Sequence, residues 1–246
     1  MNCPYCGREI VDSGLVQPLR PFHILFDDSG NPKAIHDIQH EISDFSESYD
    51  EVVKNIIAGS VSLDEHIFRL NIATLLPSFG MTRRGPLHGI RVKKNAIIDP
   101  KHVLDKCWMQ VKDGLGDLKK VIIENNIHDR SRAILELPQK SMDSVVVKAS
   151  ELFDKLEWTT INGSDVGRVG ASKILFAVLP EIALPVDNAE WDHVFRTHSY
   201  AKVLSTMIEE INEWERKSKT HLETLDSKLP TTVTSIYNVM AMSVRP

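Results

Sequence analysis

Apolar residues recur at helical spacing through most of the chain and alternate at strand spacing almost nowhere. Leu63, Ile67, Leu70 and Ala73 follow a three-to-four-residue period, with Ser62 or Asp64 available to cap the helix they define. Val103, Leu104, Trp108, Val111 and Leu115 predict a long helix from about His102, which Gly114 and Gly116 are expected to weaken midway. Val146, Ala149, Leu152, Phe153 and Leu156 predict another from about Asp143, and Val203, Leu204, Met207, Ile208, Ile211 and Trp214 a clearly amphipathic one. A last apolar helix, roughly Thr232 to Met242, is expected to pack back on the core. Phe22 to Phe26 reads as a strand before the turn Asp27 to Pro32, and the glycines between Gly80 and Pro100 read as a loop. The expected fold class is mainly α, with a helical body over 41–246 and a small N-terminal appendage over 1–40.

One stretch breaks this regular pattern. From Asn162 to Gly170 the chain is short and glycine-punctuated, and a helix is expected from Ala171 to about Leu179, stopped by Pro180. Pro185 then precedes Val186-Asp187-Asn188, which opens a further helix through Trp191, Val194 and Phe195. A glycine turn feeding a helix lets backbone N–H groups point outward where the helix dipole favours an anion. Gly167, Arg168, Gly170 and Ser172 are the candidate phosphate contacts; a plain loop-to-helix junction, with glycines for tight packing, is the alternative. Lys173 falls in the first turn of the expected helix, and Asp187 at the start of the next. Their structural alternatives are a solvated lysine and an N-cap aspartate. A helix climbs ~9 Å from Lys173 to Leu179 and the following residues can span ~26 Å, so the chain can bring Asp187 back to Lys173.

The run from Gly167 onward resembles the signature of the helix–hairpin–helix DNA glycosylases: a hairpin, a lysine, an apolar helix and a Val-Asp that starts another helix. The resemblance implies that Asp187 stabilises positive charge developing on the sugar. In bifunctional members of that superfamily the lysine attacks the anomeric carbon, which makes Lys173 the candidate nucleophile. It further implies double-stranded DNA carrying a modified or damaged base as the partner. Some prokaryotic members remove hypermodified cytosines in anti-phage defence, and that role comes here by analogy alone. A flipped base needs a pocket, and Trp158, Asn188 and Trp191 are the candidate walls, the tryptophans having ordinary core packing as their alternative. A non-catalytic helix–hairpin–helix DNA-binding protein or regulator is the competing function.

Composition sets the outer limits. At 42% apolar and 26% charged, the 246 residues have the balance of an ordinary globular protein. No run approaches the ~18 apolar residues of a membrane helix, and the start of the chain has no export signal, so a cytoplasmic protein without membrane association is expected. The net charge of −5 is unevenly spread. Arg83, Arg84, Arg91, Lys93 and Lys94 lie between Met81 and Ile98, which holds no acidic residue. That run is the expected second DNA-backbone contact, or a solvated loop. Cys3-Pro4-Tyr5-Cys6 resembles half of a zinc ribbon. A structural Zn2+ held by Cys3, Cys6, His36 and His40 is expected, since the two histidines share a helix face, and a metal-free CxxC is the alternative. No organic cofactor is expected.

Overall fold

A computed structural model describes residues 23–43, 47–58, 63–125, 127, 129–225 and 231–245. The chain is mainly helical. In order it forms α1 (Ile35–Ser43), α2 (Glu47–Ala58), α3 (Glu65–Leu75), a hairpin of β1 (Arg91–Lys93) and β2 (Ala96–Ile98), and α4 (Val103–Glu124). A short 3-10 turn and α5 (Ala133–Glu136) lead to α6 (Gln139–Glu157). Next come the two-residue strands β3 (Thr160–Ile161) and β4 (Ser164–Asp165), then α7 (Gly167–Val178). A π-helical turn, Glu190–Phe195, precedes α8 (Tyr200–Ser218) and α9 (Val233–Ser243). None of the described helices is long and apolar enough to cross a membrane.

Helix α6 packs against α4, α7 and α8, and α7 is also covered by α3. The result is a helix buried on every side: each residue from Gly170 to Val178 is buried, polar Ser172 and Lys173 included. Helix α4 runs through both glycines without a break, contrary to the expected weakening. The reason is steric. A Cβ at Gly114 would lie 2.6 Å from Leu152 Cδ2 on α6, so the glycine lets the two helices approach and the packing overrides local propensity. Asp64 caps α3, accepting the Ile67 N–H at 2.8 Å, while Ser62 lies outside the described residues.

Three further expectations are corrected. The apolar run at 22–26 is not a strand among the described residues: only a single bridge, Phe26 to Pro32, forms there. Ile24 and Leu25 are fully buried, and both donate their backbone N–H to Glu210 Oε1 on α8 at 2.7 Å, so a side chain replaces the partner strand. Glu210 Oε2 accepts from the Tyr237 hydroxyl on α9 at 2.7 Å, and Trp214 Nε1 donates to the Lys33 carbonyl. From residue 23 on, the stretch assigned to an appendage therefore shares the core of the helical body. Conversely, the loop at 80–100 contains the β1–β2 hairpin, because Lys94 and Asn95 take left-handed φ values of 49° and 61° as a two-residue turn requires. Finally, α7 begins at Gly167, not Ala171, since Gly167 absorbs the turn with φ +73° and Arg168 to Gly170 are already helical.

A buried ionic knot fixes the far end of α7. Glu181, with no solvent exposure, accepts from Lys119 Nζ at 2.9 Å and Arg130 Nη2 at 2.8 Å. Arg130 also donates to the Ile57 carbonyl, joining α2 to the knot. Burial opposes the charged carboxylate, but the two cations outweigh it and hold the Glu181 carboxyl below its ordinary value.

Candidate active site at Lys173 and Asp187

The chain between α7 and the π-helical turn is held by one hydroxyl. Ser172 Oγ accepts the Val186 N–H at 3.0 Å and lies 3.2 Å from the Val186 carbonyl, so residue 187 is fixed one step beyond a staple to α7. Lys173, the next residue on α7, reaches Asp187 directly: its Nζ contacts Asp187 Oδ1. Because α7 starts early, Lys173 sits in its second turn rather than its first. The lysine side chain is only 4% exposed, while Asp187 is 35% exposed, so the carboxylate forms the open side of the pair. Lys173 Nζ also lies 4.5 Å from the centre of the Phe79 ring, which covers the lysine from the segment before β1.

Asp187 does not act as a helix cap. Its carboxylate oxygens face Lys173 and, at 3.7 Å, Arg245 beyond α9, and neither accepts a backbone N–H among the described residues. The capping contact runs the other way: the Asp187 N–H donates to Glu190 Oε2 at 2.8 Å. Glu190 is 1% exposed, and its Oε1 has no hydrogen-bond partner among the described residues. Burial raises its pKa from 4.5 to about 7; the Asp187 N–H opposes this, the Asp187 charge adds to it, and Arg245 and Lys173 oppose it. A carboxyl with a raised native pKa binds its proton more tightly when folded. Its stabilising contribution is thus complete below about pH 4.5 and is lost as pH rises towards 7. Glu190→Gln is expected to flatten this fall, measured as the melting temperature of the two proteins between pH 4.5 and 7.5.

The other expected site residues are dispersed. Arg168 donates to Asp192 Oδ1 at 2.8 Å and to Asn188 Oδ1 at 3.4 Å, and its Nη1 lies 3.0 Å from His198 Nδ1, so its donors are engaged within the protein. Ser172 is fully buried and cannot reach a phosphate; it positions Asp187 instead. Gly170 is a packing glycine, since a Cβ there would lie 2.7 Å from Val166 Cγ1 and 3.4 Å from Leu87. Gly167 has open space beside it and is required by its φ. Trp191 is core, 1% exposed and packed on Phe153 and Tyr200, so it walls no open pocket. Asn188 is exposed. Trp158 is 69% exposed and lines a cleft of about 810 Å³ with Met109, Gln110 and Lys155, none of which belongs to the Lys173–Asp187 cluster. Arg83, Arg84, Arg91, Lys93 and Lys94 are all exposed.

Of the expected zinc ligands, Cys3 and Cys6 lie outside the described residues. His36 and His40 sit one turn apart on the exposed face of α1, and His36 Nε2 is 2.8 Å from Asp37 Oδ1. No group of three or more metal-binding side chains occurs among the described residues. Three members of the Asp187 cluster escaped sequence reasoning. The Asp187-x-x-Glu190 spacing was a usable capping signal, but Phe79 and Arg245 come from distant segments and left none. No family model, curated protein or solved structure matches the chain.

Proposed function

We propose that the protein is a DNA glycosylase that extrudes a modified or damaged base and cleaves its N-glycosidic bond. The observation that carries the reading is the contact of Lys173 Nζ with an Asp187 carboxylate that is one-third open to solvent, in the segment that follows the α6–hairpin–α7 unit. A carboxylate so placed can oppose the positive charge that develops on the sugar as the bond from C1′ to the base breaks. Water then supplies the oxygen that bonds to C1′, and its protons pass to the departing base and to solvent. Lys173, at 4% exposure behind the carboxylate, acts by holding Asp187 in position. Attack by its amine would require that pair to open first.

The decisive experiment incubates the full chain with duplexes carrying different modified cytosines and purines and scores free base by mass spectrometry. Base release without a borohydride-trapped adduct is expected. An adduct abolished by Lys173→Ala would instead make the lysine the nucleophile, and no release from any duplex would leave a DNA-binding protein without catalysis. Removal of hypermodified cytosines in defence against phage is one version of the activity, and it is tested by the cytosine arm of the same assay. A structural Zn2+ on Cys3, Cys6, His36 and His40 belongs to the same proposal. The exposed histidines one turn apart suit it, and metal analysis of the purified chain checks it.

A further inference from the structure

We infer that the β1–β2 ribbon enters the major groove of duplex DNA. The ribbon is antiparallel, with Arg91 opposite Ile98, Val92 opposite Ile97 and Lys93 opposite Ala96, closed by the Lys94–Asn95 turn. Every β1 residue is exposed, including Val92 at 38%, while on β2 Ile97 packs on the core and anchors the ribbon to the body. Both strands also pack against α3, so Arg91, Lys93 and Lys94 are exposed on a ribbon seated on the helical body. Lys101 tightens that seating by donating to the Gly85 carbonyl at 2.7 Å.

The positive charge of the ribbon and of the loop before it is not neutralised within the protein. Among the described residues none of Arg83, Arg84, Arg91, Lys93 and Lys94 makes an ion pair, and Arg91 donates only to the nearby Gly89 carbonyl. The first acidic residue after the ribbon, Asp99, points its two oxygens at the start of α4, accepting from Val103 at 3.0 Å and Leu104 at 2.7 Å. Five exposed cations between residues 83 and 94, with no ion pair among the described residues, match a polyanion. Dimensions select the groove. Paired strands lie ~4.8 Å apart, so a two-stranded ribbon fits a channel ~12 Å wide but not the ~6 Å minor groove. The deep, narrow major groove of an RNA duplex excludes such a ribbon.

Placement favours duplex DNA over other polyanions. The segment leading into the ribbon packs on α7, with Phe79 beside Lys173 and Phe176, and Leu87 at 3.4 Å from where a Gly170 Cβ would stand. The cationic ribbon and the Asp187 cluster are thus joined through one packed segment. The inference rests on the glycosylase reading for its choice of DNA, but not for its chemistry.

The test is fluorescence anisotropy of the full chain on a duplex of about 20 base pairs over a salt series, with dimethyl sulfate footprinting of guanine N7. Protection of N7 is expected. In the triple variant Arg91→Ala, Lys93→Ala, Lys94→Ala, the slope of log affinity against log salt should fall by roughly 2 to 3, about 0.9 per lost phosphate contact. An unchanged slope, a footprint confined to the minor groove, or equal affinity for an RNA duplex overturns the inference. All three side chains are exposed, so an unaltered melting curve separates lost binding from lost folding. Ribbon-dependent binding without base release removes the glycosylase reading alone, and base release indifferent to the triple variant removes this inference alone.

Discussion

If the protein is the proposed glycosylase, Asp187→Asn is expected to reduce base release by on the order of 10²–10³-fold while duplex affinity stays within a factor of about two or three. The amide keeps the shape of the carboxylate but not its charge, and a group that opposes developing positive charge acts in the transition state far more than in the bound complex. The substitution also leaves Lys173, 4% exposed, facing a neutral partner. Some loss of stability is therefore expected, and activity is compared at a temperature well below both melting transitions. Single-turnover release and anisotropy on the same duplex separate the two effects. Equal losses in both would mean that Asp187 organises the binding surface; no loss in either would reduce it to an ordinary ion-pair residue.

The largest effect on stability is expected at Glu181. Its truncation to alanine leaves Lys119 and Arg130 buried with no anion between them, the situation in which breaking a buried pair costs about 3–5 kcal/mol. For a chain of this size that corresponds to a fall in melting temperature of roughly 6–20 °C. The carboxyl is held below its usual range, so its contribution is present at neutral pH and is lost as pH falls through its native value. The difference between Glu181→Ala and the parent should accordingly shrink in acid. Urea melts at pH 7 and at successively lower pH below 4 check both statements. A variant as stable as the parent at pH 7 would show that the knot adds nothing beyond the packing around it.

Periodicity revealed the long helices because their burial is one-sided. The exposed and buried faces of α6 and α8 alternate at 3.6 residues, and that alternation is written in the sequence. It failed where the partner was not a neighbouring element of the expected kind. Ile24 and Leu25 look like a strand because they are apolar and consecutive, yet their hydrogen-bond acceptor is a glutamate 186 and 185 positions away. Gly114 looks like a helix breaker because propensity is a property of isolated helices, whereas here a second helix occupies the space a side chain would fill. The β1–β2 hairpin escaped because its turn uses Lys-Asn rather than a glycine, and its strands are three residues long.

At the candidate site, Lys173 and Asp187 were legible because both flank punctuated turns, and the structure does bring them into contact. Trp191 was legible only as an aromatic near the aspartate; that it faces Phe153 and Tyr200 depends on the π-helical turn, whose register no residue type announces. Arg245 joins Asp187 from the far side of α9 and was beyond any local reading. Ser172 was assigned to the right place for the wrong reason, since its hydroxyl faces inward to Val186.

The link between Glu210 and residues 24–25 has a consequence for how the early chain can come apart. A strand on a sheet edge frays stepwise, each ladder bond yielding on its own. Here two consecutive amides depend on one oxygen, and that same carboxylate receives the Tyr237 hydroxyl. Withdrawing it unlatches both amides together and exposes two fully buried side chains at once. The amides of residues 24 and 25 are therefore held or released together, and their seating depends on the docking of α8 and α9.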